Sequence, residues 1–204
     1  MLNKFVNRTA KRPAGRLGKM MYRNPHGHYQ SFHLTLEKLQ LKPEDVFLEI
    51  GCGGGVLLSM ALETVKEAKA IDHSRDMVQL AGEKNQAALA EGRLEIVQGD
   101  AESLPWEDNI FTCAAASNMF FFIENPLRAL CELHRVLQPG GRLVIASAEN
   151  TVWLKTLFFF WFHSLKLYKN SKMEEMLKQA GFAIVEVKTE KFIQISYAEK
   201  TTPV

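Results

Sequence analysis

The chain has 204 residues and a mass of 23.1 kDa, with 47% hydrophobic, 24% charged and 10% aromatic content. Apolar side chains are abundant enough to offset the entropy of ordering the backbone, which excludes a disordered or collagen-like chain. At ~150 residues per domain there is room for one core plus an arm or insertion. The formal charge of +2 conceals an asymmetry, because residues 1–36 carry seven cations and no acid and therefore precede an acidic body.

Residues 1–40 read as a basic N-terminal arm or cap containing Lys4, Arg8, Lys11, Arg12, Arg16, Lys19 and Arg23. From residue 41 to 204 a single domain is expected, in which short β-rich runs alternate with helical stretches, the pattern of a parallel sheet covered on both faces. Val46 to Ile50 is a predicted strand ending in Gly51, Gly53, Gly54 and Gly55, and a helix is predicted from Val56 to Lys66. Lys69 to Asp72 forms the second strand. Ser74 then caps a helix running to Ala90, with Met77, Leu80 and Ala81 on one face. Leu94 to Gln98 and Ile110 to Ser117 are strands three and four. Asn125-Pro126 opens a helix whose Leu127, Leu130, Leu133 and Leu137 recur at helical spacing until Pro139-Gly140-Gly141 stops it. Leu143 to Ser147 is strand five, Lys172 to Ala180 a helix, and Phe182 to Lys188 with Phe192 to Glu199 an antiparallel pair. The expected architecture is an α/β open, doubly wound, seven-stranded, mostly parallel sheet with an antiparallel last strand. Such sheets bind ligands at the carboxyl ends of their strands, where strand order reverses.

Glu49-Ile50-Gly51-Cys52-Gly53-Gly54-Gly55 combines a carboxylate at a strand end with a turn bare of Cβ atoms, so a flat ligand can lie against the backbone. Asp72, at the next strand end, stands where a carboxylate accepts both ribose hydroxyls, which implies a nucleoside. A dinucleotide fingerprint is not met, since Val56 or Leu58 falls where its third glycine belongs, and no Lys-Ser or Lys-Thr completes a phosphate loop. Each assignment has a structural competitor. The glycines also make a plain strand-to-helix turn, Asp72 also caps a helix, and Asp100 with Glu102 also suits a solvated loop.

The concatenation of Glu49 to Gly55, Asp72, Gly99-Asp100-Ala101-Glu102 and Leu137-Gln138-Pro139-Gly140-Gly141-Arg142-Leu143 resembles the S-adenosylmethionine-dependent class I methyltransferases. The likeness is to their small-molecule and quinone-biosynthesis branch, over residues 41–147. The resemblance implies a Rossmann-like methyltransferase fold and S-adenosyl-L-methionine as cofactor. It implies that Glu49, Gly51, Cys52, Gly53 and Gly55 hold the methionine portion and that Asp72 takes the ribose. His73 and Met77 would lie beside the adenine, Asp100 and Ala101 at its edge, and Ser117 and Asn118 under the sulfonium. Two positions depart from the family pattern: Phe111-Thr112 replaces a common Phe-Asp, and Asn118-Met119-Phe120-Phe121-Phe122 replaces a common His pair. The acceptor is therefore not carried over by resemblance.

Methyl transfer needs alignment, exclusion of water and at times a base, but no protein nucleophile. The base candidates are His28 and Tyr29, which with His26 and His33 lie just ahead of the sheet and are read first as packing or surface residues. No metal site is expected, because His26 and His28 have no acid or Cys nearby. Thr151 to Tyr168 is the most apolar tract. Lys155, His163 and Lys166 break it as a membrane span, which leaves a core-completing cap, a lid over an apolar acceptor, or peripheral membrane or dimer contact. With Phe120 to Phe122, it favours a small hydrophobic or aromatic acceptor. Nucleic acid is disfavoured despite the basic arm, since neither Asn/Asp-Pro-Pro-Tyr nor a Pro-Cys nucleophile is present. The three cysteines form no close pair and no secretory leader is legible, so a cytoplasmic protein is expected. The competing functions are a non-catalytic nucleoside-binding module and an NAD-binding Rossmann protein, which requires a parallel sixth strand.

Overall fold

The computed structural model describes residues 15, 20, 22–148 and 166–201. The readings placed on the rest of the basic arm and on the aromatic tract up to residue 165 lie outside them. The seven strands are β1 (Val46–Ile50), β2 (Glu67–Asp72), β3 (Leu94–Gln98), β4 (Phe111–Ser117), β5 (Leu137–Ala148), β6 (Ile184–Glu190) and β7 (Ile193–Glu199). They form one sheet in the order β3-β2-β1-β4-β5-β7-β6. Strands β1 to β5 are mutually parallel and β7 runs antiparallel to both β5 and β6. The terminal antiparallel pair is the one expected: β7 is inserted between β5 and β6, so β6, although it runs in the direction of β1 to β5, does not pair with β5 as the sixth strand of a dinucleotide fold would.

The helices are α1 (Tyr29–Leu39), α2 (Val56–Ala61), α3 (Arg75–Lys84), α4 (Gln86–Ala90), α5 (Pro126–Val136) and α6 (Asn170–Gln179). Central strands are apolar on both sides because helices cover both faces, so β1 and β4 read as near-continuous hydrophobic runs. The alternation of a strand divides the core. Leu48 and Ile50 pack on one face with Ile71, Phe111, Leu130, Leu133 and Leu177. Phe47 packs on the other with Phe32, Leu39, Leu57, Ala68 and Val144. Through Phe32 and Leu39, helix α1 is part of that second core.

Three expectations are corrected. The helix predicted from Ser74 to Ala90 is two helices, because Asn85 turns its amide inward to donate to the carbonyls of Gly55 (3.1 Å) and Ala81 (2.9 Å). The helix predicted to Lys66 stops at Ala61. Pro139-Gly140-Gly141 does not end a helix but lies inside β5, which pairs Leu137 with Phe111 and then, after a bulge, Arg142 with Cys113. The chain switches from helix to strand between Val136 and Leu137. Gly140 (φ 78°) absorbs the extra residues while its amide donates to the carbonyl of Lys200 at 2.7 Å.

The chain leaves β1 toward β2 and β3 and later returns to the opposite side of β1 as β4. The carboxyl ends of β1 and β4 therefore diverge, and the crevice between them is where an open α/β sheet receives its ligand.

Candidate functional site

A cleft of about 240 Å³ opens at this crevice. Its floor is built from the ends of β1, β2 and β4, and its roof from the segment Tyr22 to Phe32. The turn after β1 is tied down by its own backbone: the amides of Gly51 and Cys52 donate to the carbonyl of Ile71 (2.7 and 3.3 Å), and that of Gly55 to Cys52 (2.9 Å).

The glycines of this turn answer to the protein's own neighbours as much as to any ligand. Gly55 has φ 74°, and a Cβ there would lie 2.9 Å from both Cα and Cβ of Ala81 in α3. At Gly54 a Cβ would collide with the backbone carbonyl of Tyr22. Gly54→Ala is therefore expected to displace the Tyr22 strap rather than to distort the sheet. The expected result is retained thermal stability to within a few degrees, together with faster proteolysis near residue 22 and weaker cofactor binding; unchanged cleavage would contradict it.

Glu49 is 2% exposed and lines the cleft. One of its oxygens accepts the backbone N–H of Leu58, an amide of the first turn of α2 with no intrahelical partner. The other, Oε2, is buried with no partner among the described residues. Burial, then the charge of Asp72, pushes the Glu49 carboxyl well above its ordinary range. Asp72, 6% exposed at the end of β2, accepts from the Gly53 amide (2.9 Å, Oδ2) and from the Ser74 amide (2.8 Å, Oδ1). Its pKa is also raised, because desolvation outweighs those two amides and the neighbouring His73. Both readings of Asp72 therefore meet in one side chain, which organises the glycine turn and the start of α3 while facing the cleft. The charge of Asp72 raises Glu49, and among the described residues the lining contains no Lys or Arg to relieve the two buried carboxylates. A ligand carrying positive charge would do so.

Of the residues assigned to the cofactor by sequence, Glu49, Gly51, Cys52, Gly53, Asp72, His73, Met77, Asp100, Ala101, Ser117 and Asn118 come together around the cleft. Gly55 does not line it; it is the N-cap residue of α2 and packs on α3. His28 reaches the cleft, whereas Tyr29 turns away and packs edge-on against Phe32 with ring centres 6.0 Å apart. Burial lowers the pKa of His28, so its ring is neutral near pH 7. Glu102 lines the mouth but is structurally engaged, with Oε1 accepting the amide of Asn125 at 2.7 Å ahead of α5.

Sequence reasoning missed Tyr22, Pro25, Phe32 and Met119 in the lining, whereas Gly54 belongs to the turn and Phe122 to the aromatic run that it had singled out. The hydroxyl of Tyr22 is pushed up to about 12 by burial and by Asp72. Its only sequence signal was proximity to the histidines at 26 and 28. Among the described residues no three His, Cys, Asp or Glu side chains come together as a metal site. No described helix is long and apolar enough to cross a membrane.

The residues present fit S-adenosylmethionine. An orphaned carboxylate oxygen at Glu49 suits an ammonium group, Asp72 keeps free lone pairs for hydroxyls, and Met77 and Ile71 offer an apolar slot for a base.

Comparison with known proteins agrees with this geometry. Residues 48–145 match the family described as a methyltransferase domain. The chain is 26% identical over 183 residues to the demethylmenaquinone methyltransferase of Oceanobacillus iheyensis, covering 76% of each protein. It is 33% identical over 146 residues to that of Staphylococcus aureus, covering 66% of this chain and 59% of that protein. Matched segments span between 34% and 76% of the curated relatives' own lengths. Phosphoethanolamine N-methyltransferase 2 of Haemonchus contortus, solved with S-adenosyl-L-methionine, shares the fold with a TM-score of 0.80. It is 17% identical and covers 99% of this chain and 60% of that one. Sheet order, the glycine turn between two carboxylates and the matched methyltransferase domain agree: the chain has the fold of the S-adenosylmethionine-dependent class I methyltransferases and is similar to them in sequence.

Proposed function

We propose that the protein transfers a methyl group from S-adenosylmethionine to a small, neutral, apolar or aromatic acceptor. The observation that carries this reading is the mixed lining of one cleft. Carboxylates, Glu49 and Asp72 among them, lie beside aromatic and apolar side chains: Tyr22 and Met119 sit against the glycine turn, and Phe32, Phe122 and Ile123 add to the wall. Among the described residues the lining holds no Lys or Arg, so a phosphate or carboxylate on the acceptor would find no counter-charge in them. Similarity to demethylmenaquinone methyltransferases supports an acceptor of quinol type.

When bound, S-adenosylmethionine supplies a methyl carbon already activated for in-line displacement. The chain's part is to hold the two ends of the line and to keep water out. Phe32 and Phe122 stack the acceptor, and the Tyr22 strap closes the cleft over the glycine turn. Neutral His28 accepts the proton that the acceptor releases.

Incubation with methyl-labelled S-adenosylmethionine tests this. Label is expected in neutral hydroxyarenes and reduced naphthoquinones, and in neither phosphoethanolamine nor duplex or single-stranded oligonucleotides. Preferential labelling of the phosphorylated amine or of nucleic acid would refute the reading.

The role of His28 has its own signature. Because its folded pKa lies below 6.5, its basic form persists on acidification until the pH falls through that lowered value. The rate at saturating acceptor should therefore hold from pH 8 to 6.5 and fall below it, while His28→Gln should lower the rate ~100-fold and flatten that acidic limb. An identical limb in the variant would remove His28 from the reaction.

A further inference from the structure

We infer that Asn118 reads a hydrogen on the acceptor: its side-chain oxygen is held facing the cleft as a hydrogen-bond acceptor, so the favoured methyl acceptor presents an O–H or N–H there. This rests on the acceptor reading above and narrows it to a class of substrate.

The single hydroxyl hydrogen of Ser31, in the first turn of α1, goes to the backbone carbonyl of His28 at 2.7 Å, a group that can only accept. The Ser31 oxygen is left as an acceptor toward β4. It receives the amide nitrogen of Asn118 at 2.5 Å and the hydroxyl of Ser117 at 3.4 Å. The same Asn118 nitrogen donates its other hydrogen to Ser117 Oγ at 3.3 Å. Both amide hydrogens are thereby used, and the orientation of the amide is determined by the network.

Ser31 is 2% exposed and does not line the cleft, whereas Asn118 does. The nitrogen is thus turned into the wall, and Oδ1 is the amide atom left to the cavity. Oδ1 accepts no hydrogen bond from any described residue. The backbone makes this placement possible: Asn118 has φ 56°, a left-handed conformation that Asn tolerates better than most residues, and its amide donates to Ala146 at 2.8 Å. An oxygen with open lone pairs that a bound acceptor covers disfavours a ligand offering it no hydrogen, because the pairing lost to desolvation is not restored. Ser31 acts here as a positioning residue, since it touches the amide and not the acceptor.

The test compares 1-naphthol with 1-methoxynaphthalene, two neutral bicyclic arenes that differ by the hydrogen in question, by calorimetry at saturating S-adenosylhomocysteine. The wild-type protein should bind 1-naphthol about tenfold more tightly. Asn118→Gly removes the amide while tolerating the left-handed backbone, and it should abolish the preference. Ser31→Ala leaves the amide free to turn its nitrogen to the cavity. It should shrink the preference to twofold or less with unchanged S-adenosylhomocysteine affinity, a result that loss of packing alone would not produce. Equal binding of the two probes to the wild type, or a tenfold preference kept in Asn118→Gly, overturns the inference and leaves the apolar-acceptor reading standing. If wild-type protein saturated with S-adenosylhomocysteine binds neither arene, both fall together.

Discussion

Glu49→Gln is expected to move cofactor affinity and stability in opposite directions. The carboxylate is buried against Asp72 with Oε2 unpartnered, and its folded pKa lies well above the unfolded value. A group raised in this way contributes stability that is full below its unfolded pKa, near 4.5, and is lost as pH rises through the folded pKa. The ligand-free wild type should therefore lose stability between pH 5 and pH 9, and the glutamine variant, which cannot ionise, should not lose that part. Near pH 5 the two should melt together. At pH 9 the variant should melt several degrees higher, about 2–4 °C for each kcal/mol of repulsion removed. Cofactor binding reverses the order. A charge-assisted hydrogen bond is worth about 1.5–3 kcal/mol, so the variant should bind S-adenosylmethionine roughly 10- to 100-fold more weakly. Scanning calorimetry at the two pH values with titration calorimetry at pH 7.5 checks both halves, and equal affinities would remove Glu49 from the cofactor site.

Asp72→Ala should be more damaging, because two functions end at once. Its carboxylate accepts the amides of Gly53 and Ser74, which hold the glycine turn against the start of α3. Stranding those two donors should cost about 2 kcal/mol of stability, in the range seen for lost helix caps and orphaned buried amides. The remaining lone pairs are those available to the ribose, so S-adenosylmethionine affinity should fall ~100-fold or more. The two backbone bonds are the reason the fold should not be spared. Asp72→Asn separates the parts. It keeps an acceptor oxygen for one amide and should recover about half of the lost stability, while affinity stays low because a neutral amide cannot accept from both hydroxyls. Denaturant unfolding and calorimetry on the two variants measure these terms. An Asn variant that binds as tightly as wild type would show that Asp72 acts only on the turn.

The sequence carried the sheet because its signals are local. Apolar runs such as Phe111 to Ala116 are interpretable as buried strands without reference to their neighbours, and Gly51 to Gly55 marks the first crossover wherever the chain later goes. Periodicity does not reveal where one residue interrupts a helix by reaching elsewhere. Asn85 breaks the helix after β2 because Gly55, thirty residues earlier, offers it a carbonyl. Pro139-Gly140-Gly141 has the composition of a stop, yet lies in β5 because Lys200, near the far end of the chain, pairs with Gly140 and Gly141.

The same division runs through the site. Glu49, Asp72 and the glycines were legible because spacing along the chain places them at adjacent strand ends, and that determined the fold class and the nucleoside cofactor. The roof was not legible. Tyr22 and Phe32 acquire meaning only when α1 folds back over the sheet, and Tyr29, one residue from His28 in sequence, faces away because successive helical positions are about 100° apart. Tertiary structure alone decided the hydrogen-bond direction from His28 through Ser31 to Asn118. It links residues 86 and 87 positions apart, and the route of a proton depends on which groups meet rather than on their order in the chain.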